Sequence, residues 1–296
     1  MNPIKNKIDF AVLITVNHAN PNGDPLNGNR PRMTSDGYGH ISDVCIKRKI
    51  RNRLQNMGEK IFVQMDELCD DNCKSLKERA EKEIGSNKKI EDFYKEACEK
   101  WIDVRAFGQV FAYGKSKSKS KGKGEGESDD KGVSVGVRGP VSIQQSFSVS
   151  PIDAESFQIT KSVSGDTPKN GAGKGKDTMG MKHMVDFGLY VIRGAVNVQL
   201  AEKTNFDDED ANKIKEALRT LFVNDSSSAR PEGSMEVAKL YWWKHNNKIG
   251  QYSSAAIQRS LKIRQKNPEV QPKSIDDYEI KLDNLEGITP EIIDGI

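Results

Sequence analysis

Few side chains here combine the type and spacing that bond-making chemistry needs. Asp24, in the stretch Asn22-Gly23-Asp24-Pro25, is a lone carboxylate. Metal-assisted phosphoryl chemistry needs several ligands converging on one ion, and the nearer acids, Asp36 and Asp43, stand at no informative spacing. Asp24 therefore reads as a cap on its own loop. His18, His40, His183 and His245 are scattered, so no Ser/His/Asp or Cys/His arrangement can be argued. Cys69 and Cys73 are close in the chain, but no nearby histidine or second cysteine pair completes a zinc site. No catalytic residue, no metal and no cofactor is expected.

What the chain does concentrate is positive charge. The formal net charge of +3 on 296 residues says little about partners. Its distribution says more: five basic side chains fall within the seven residues from Lys47 to Arg53, and five lysines lie between Lys115 and Lys123 with no acid among them. Asp66 to Glu99 carries the acidic excess. Such clustering suits a surface that tracks phosphates. Hydrophobic residues make up 35% and charged residues 30%, a balance that fits an extended assembly part better than a compact enzyme. No apolar run is long enough for a membrane span and no leader is visible, so the chain reads as cytoplasmic with reduced thiols.

Those cations need elements to hold them. Ile8, Phe10, Val12, Ile14 and Val16 alternate with their neighbours, which predicts a central strand. Asn17 to Arg32 follows with three Pro, two Gly and five Asn and predicts a structured loop. Ser42 is placed to cap a helix through about Met57, with Ile46, Ile50 and Leu54 on one stripe and cations around it. A helical insertion is predicted for 58–100, a return to the core at Trp101, strands from Val133 to Pro151 broken at Gly139-Pro140, and a projecting arm from Thr160. A strand from Leu189 to Leu200, a helix capped by Asn205 and running to about Phe222, and a strand from Met235 to His245 complete the pattern. The loop 114–132 is of low complexity and predicted mobile. Strand, helix, strand, strand, helix, strand is the ferredoxin-like order, an α+β fold. The tail from Ser253 resists assignment.

At this point the ordered set NPNGDPLNGNRPR, SDVCIKRKIRNRL, DVRAFGQVF, GVRGPVSIQQSFS and SSSARPEGS resembles the backbone subunits of type I-C CRISPR Cascade complexes, the Cas-seven family of Csd-two type within the RAMP superfamily. The resemblance spans about Ile8 to His245. It implies an RRM-like palm (1–57, 101–157 and 189–252), helical fingers (58–100), a thumb hairpin (158–188) and a C-terminal extension (253–296). It also implies a non-catalytic scaffold that polymerises along CRISPR RNA and presents the spacer to a target DNA strand. Partners would be copies of itself, the crRNA-processing, large and small Cascade subunits, and a helicase-nuclease recruited to the complex. Related type III backbones cut RNA with an aspartate in the loop after the first strand, which is why Asp24 is weighed at all; a non-polymerising RRM-type RNA-binding protein is the other rival.

A scaffold accepting any spacer needs cations and amides on phosphates and 2′-hydroxyls, not base-edge contacts. Expected RNA contacts are Asn20, Asn22, Gly23, Asn27, Asn29 and Arg30 in the first loop, and Lys47, Arg48, Lys49 and Arg51 on the helix. Arg138, Gln144 and Gln145 join them in the middle strands, and Lys174, Lys176 and Lys182 on the thumb. Met179, Met181 or Met184 would be the base-displacing wedge. Base stacking on the sheet face is not expected, because the RNP aromatic pattern is absent from the assigned strands.

Overall fold

The first apolar alternation becomes β1 (Ile8–Ala19), in the centre of the main sheet. The computed structural model describes residues 2–85, 88–112, 134–161 and 179–296. The predicted loop after β1 is ordered by a short ladder of β2 (Gly23–Asp24) with β3 (Arg30–Pro31), and β4 (Tyr38–Ile41) follows. Ser42 Oγ accepts from Cys45 N and starts α1 (Asp43–Asn56), as its cap position predicts.

Next come α2 (Leu76–Glu83), α3 (Ile90–Lys100), α4 (Ile102–Phe107) and the paired β5 (Gln109–Ala112) and β6 (Ser134–Val137). The middle strands are β7 (Val141–Ile143), β8 (Ser146–Pro151), β9 (Ala154–Thr160) and the long β10 (Met179–Val196). Then follow α5 (Val198–Thr204), α6 (Asp208–Arg219), β11 (Met235–Lys244), α7 (Ser254–Ser260), β12 (Leu261–Gln265), β13 (Tyr278–Leu282) and β14 (Glu291–Asp294).

The main sheet runs β14-β11-β1-β10-β8-β4, with β7 and β9 also paired to β10. All its pairings are antiparallel. On one face α1 lays down Ile46, Ile50 and Leu54, and α6 lays down Ala211, Ile214 and Leu218, against Phe10, Val12 and Ile14 of β1. The opposite face is also buried. Ala11, Leu13, Leu189, Val191, Tyr241 and Trp243 lie under Ile257, Leu261, Tyr278 and Ile288 of the C-terminal segment. That segment, unplaced from sequence, is therefore the second cover of the sheet.

Three expectations are corrected. The strand expected to Leu200 stops at Val196, and Asn197 caps α5 through Leu200 N. Asn205 does not cap α6; its φ of 57° closes α5, and Asp207 caps α6 in a box with Asp210. The segment after Trp101 does not simply return to the main sheet. Trp101, Val104 and Phe111 join Phe62, Ala80, Phe93 and Val135 in a separate core beneath α2 and α3. Phe62 packs at 4.7 Å from Trp101 and 5.0 Å from Phe111, so the insertion brings its own aromatic centre.

Arg105 donates two hydrogen bonds of 2.7 Å to Asp210 in a buried bidentate pair that ties this insertion to α6. The two motifs Asp103 to Phe111 and Gly136 to Pro140 meet at paired glycines. A Cβ on Gly108 would lie 2.4 Å from Val137 O, and one on Gly139 would lie 2.3 Å from Ala106 O. Backbone contact this close explains both glycines. Among the described residues no helix is long and apolar enough to cross a membrane.

Candidate nucleic-acid interface

Helix α1 carries the densest charge, and the fold turns most of it inward. Lys49 is buried and pairs with Asp225. Arg51 donates from Nε to Asp103 at 2.9 Å and lies 5.2 Å from the centre of the Phe107 ring. Asp103 is fully buried and also accepts from Phe62 N at 2.7 Å and Val63 N at 3.1 Å. Arg48 donates to Val63 O at 2.7 Å, and Arg53 to Thr220 Oγ1 at 2.7 Å. Lys47 pairs with Asp43 one turn back at 3.1 Å, and remains on the surface. Burial pushes the pKa values of Lys49 and Arg48 down; for Lys49 the Asp225 carboxylate opposes that shift. The expectation of an outward phosphate-tracking helix thus meets cations that bind α1 to the insertion and to the 225–234 loop.

The loop after β1 is built by its own polar groups. Asn20 is buried, donates to Asn29 O at 2.7 Å, and its backbone N–H reaches Ala229 O at 2.9 Å. Asn22 Oδ1 accepts from both the backbone and the hydroxyl of Ser42 at 3.0 Å, which seats the loop on the α1 cap. Gly23 faces the Asn29 side chain so closely that a Cβ would come within 2.0 Å of its Oδ1. Asp24 accepts from Leu26 N at 3.3 Å and lies 3.4 Å from the Arg32 guanidinium. Among the described residues no group of three or more His, Cys, Asp or Glu could hold a metal. Asn27, Asn29 and Arg30 are exposed at the tip, beside Leu26, which is 98% exposed.

Arg138 is exposed between β6 and β7, and Gln144 and Gln145 are exposed between β7 and β8, where Gln144 N donates to Arg193 O at 2.8 Å. On the β9–β10 hairpin Met179 and Met181 are exposed, while Lys182 and Met184 are half-buried. Cross-strand register sets Met179 and Met181 on one side and Lys182 and Met184, with Phe157 and Ile159, on the other. Phe157 and Ile159, 45% and 50% exposed, were not singled out by sequence. Their alternation in Ala154 to Thr160 was the signal. Lys174 and Lys176 lie outside the described residues, as do the predicted loop 114–132 and the outer part of the arm.

Apart from the α1 cations and Arg138, the expected contacts fall into two groups, at opposite ends of the part of β10 that pairs with β1. The first loop and the hairpin base share one end, where Ala19 pairs with Val185 and His18 Nε2 lies 3.1 Å from Asp186. Gln144 and Gln145 share the other, beside Arg193. At the rise of an antiparallel strand, Val185 to Arg193 spans about 27 Å.

The sheet and its surface define an antiparallel α+β protein with polar, cation-bearing turns along the sheet. The chain belongs to the CRISPR-associated protein Cas7 family, which it matches over residues 6–283. It is 23% identical to a CRISPR-associated protein Cas7 of Haloferax volcanii, over 98% of this chain and 85% of that protein. Among solved structures it is similar to a chain of a "CRISPR RNA-guided surveillance complex, pre-nicking", with a TM-score of 0.46 and 15% identity over 80% of this chain and 78% of that one. A chain of a "CRISPR RNA-guided surveillance complex" gives a TM-score of 0.42 and 16% identity over 80% and 68%.

Proposed function

We propose that this protein is the repeating guide-RNA-binding backbone subunit of a type I-C Cascade complex in the cytoplasm, a scaffold and not an enzyme. The observation that carries the reading is membership of the Cas7 family over nearly the whole chain, matched at residues 6–283. The exposed cations and amides of Arg30, Arg138, Gln144 and Gln145 support it, because they suit backbone recognition that ignores base sequence. In this reading the main sheet with α1 and α6 is an RRM-like palm, in the ferredoxin-like order fourth-first-third-second for β11, β1, β10 and β8. The insertion with its separate core forms the fingers, and the β9–β10 hairpin is the root of the thumb. Successive copies cover the guide and leave its bases for pairing with target DNA, so base pairing supplies specificity. The other Cascade subunits and the recruited helicase-nuclease complete the system.

Asp24 has a structural role at its turn, which argues against the metal-dependent nuclease alternative. The test is co-expression with a CRISPR array, followed by electron microscopy and a length series of RNAs. Filaments whose copy number grows with RNA length are expected. One copy per RNA at every length would select a non-polymerising RNA-binding protein, and regular cuts in a complementary RNA with Mg²⁺ would select the nuclease.

A further inference from the structure

The C-terminal cover of the second sheet face stops short of one corner. Tyr278 Oη meets Ser150 Oγ at 2.5 Å and Gln271 donates to Pro151 O at 3.1 Å, so the cover reaches the last residues of β8. Near the start of β8 this face is left open at Phe147. Phe147 is 44% exposed, and Gln144, Gln145 and Ser142 before it are exposed too. The Phe147 ring is stacked on His40 of β4, with centroids 5.1 Å apart and planes 17° apart. Phe147 pairs with Val191, so by strand alternation Arg193 stands on the same face, diagonal to the ring.

Arg193 differs from the shielded cations elsewhere. Lys49, Arg51, Arg79 and Arg105 each hold a carboxylate. The half-buried Arg193 guanidinium has neither an acid nor a hydrogen-bond partner among the described residues. Burial depresses its pKa with no neighbouring acid to offset the effect. Removing a charge from water without pairing it is costly, and an arriving anion would relieve that cost.

We infer that His40, Phe147 and Arg193 form a contact for single-stranded RNA, in which Phe147 stacks a base or ribose and Arg193 takes the adjoining phosphate. The inference rests on the backbone reading above and adds, beside its Gln144 and Gln145, a ring plane and a phosphate-binding cation on the sheet face, where the sequence alone predicts no base stacking. Its position supports it: His40 N donates to Arg32 O at 2.9 Å in the first loop, and Arg193 O accepts from Gln144 N. The row therefore bridges the two groups of expected contacts. An aromatic plane, a guanidinium and primary amides side by side suit a nucleotide, which offers a ring face and a phosphate together. An acidic protein segment would satisfy Arg193 but leave the ring plane without a matching group.

The test titrates the full chain and its Phe147→Leu, Phe147→Tyr and Arg193→Gln variants with a fluorescein-labelled, mixed-sequence single-stranded RNA. Leucine keeps the packing against His40 and Val191 and removes only the ring plane. F147L is expected to bind about tenfold more weakly, as removal of one base–aromatic stack does, with F147Y close to the parent. R193Q is expected to lower the salt slope of log Kd by about 0.7, the value for one single-strand phosphate. Parent-like affinity in F147L and a parent-like slope in R193Q, while the parent still binds RNA, overturn the corner and leave the backbone reading standing. So does a poly-glutamate peptide that binds the parent but not R193Q when RNA affinity is unaltered, since the corner then belongs to a protein partner. A parent that binds no RNA overturns both.

Discussion

Helix α1 and the turns at Arg30 and Arg138 carry the same chemistry, and the fold uses it in opposite ways. On α1 the cations of Lys49 and Arg51 are held by Asp225 and Asp103, and Arg48 by a backbone carbonyl. Arg30 and Arg138 are exposed, and neither side chain has a hydrogen bond or ion pair among the described residues. Density of charge in a sequence therefore measures how many counter-ions a segment needs, not how many phosphates it can reach. Buried pairs of this kind fix one segment against another because separating them strands a charge out of water.

The most severe way to break that contrast is Arg51→Glu. It sets a second carboxylate against Asp103, which is fully buried and already holds two backbone amides. A loss of at least about 3–5 kcal/mol is expected in urea unfolding, so lost RNA binding in this variant would report a damaged fold. Lys49→Met should cost less, about 2 kcal/mol, because Arg230 still pairs with Asp225 at 3.2 Å. Its RNA affinity should stay at the parent level. A large affinity loss in a stably folded K49M would mean that α1 does meet the guide.

The double variant Arg30→Gln, Arg138→Gln should reverse the pattern. Its stability should stay within about 0.5 kcal/mol of the parent, the usual range for surface changes. The salt slope of RNA binding should fall by about 0.7 for each phosphate that is no longer neutralised, so an unchanged slope would remove both turns from the interface.

The smallest effect is on acidification and concerns the insertion alone. Hydrogen bonds from the Arg79 guanidinium hold the Asp71 carboxyl well below its ordinary range. A depressed folded-state pKa contributes stability above the unfolded value, about 3.9 for aspartate, and that stability is lost as pH falls through the folded one. Fluorescence of Trp101, buried in the insertion's core, should therefore begin to shift below about pH 4 in the parent. In Arg79→Gln that acid-induced change should be smaller. An identical acid response in both would detach Asp71 from the stability of this core.

Much of the frame was legible. Period-two alternation located β1, the Ser42 cap located the start of α1, and the Ala211, Ile214 and Leu218 stripe located α6, because backbone hydrogen bonding and side-chain periodicity act over a few residues. The ordered motifs were enough to suggest the family that the match over 6–283 shows. Helix boundaries were less legible where two polar residues compete, as Asn205 and Asp207 do. Asparagine tolerates the left-handed conformation that ends α5, while aspartate, flanked by acids, suits the positive end of α6.

The sequence by itself determined where β1, α1 and α6 fall, where charge is dense and which family the chain joins. Only the tertiary structure decided which charges are available. Asp103 and Asp225 stand 52 and 176 residues from the cations they hold, and no local pattern encodes a pairing over that distance. The same holds for Phe147 and Arg193. Their exposure depends on where a C-terminal segment, polar in composition and far away in the chain, stops covering the sheet. Local spacing sets the conformation of a segment, whereas availability to a partner is set by what the rest of the fold places on top of it.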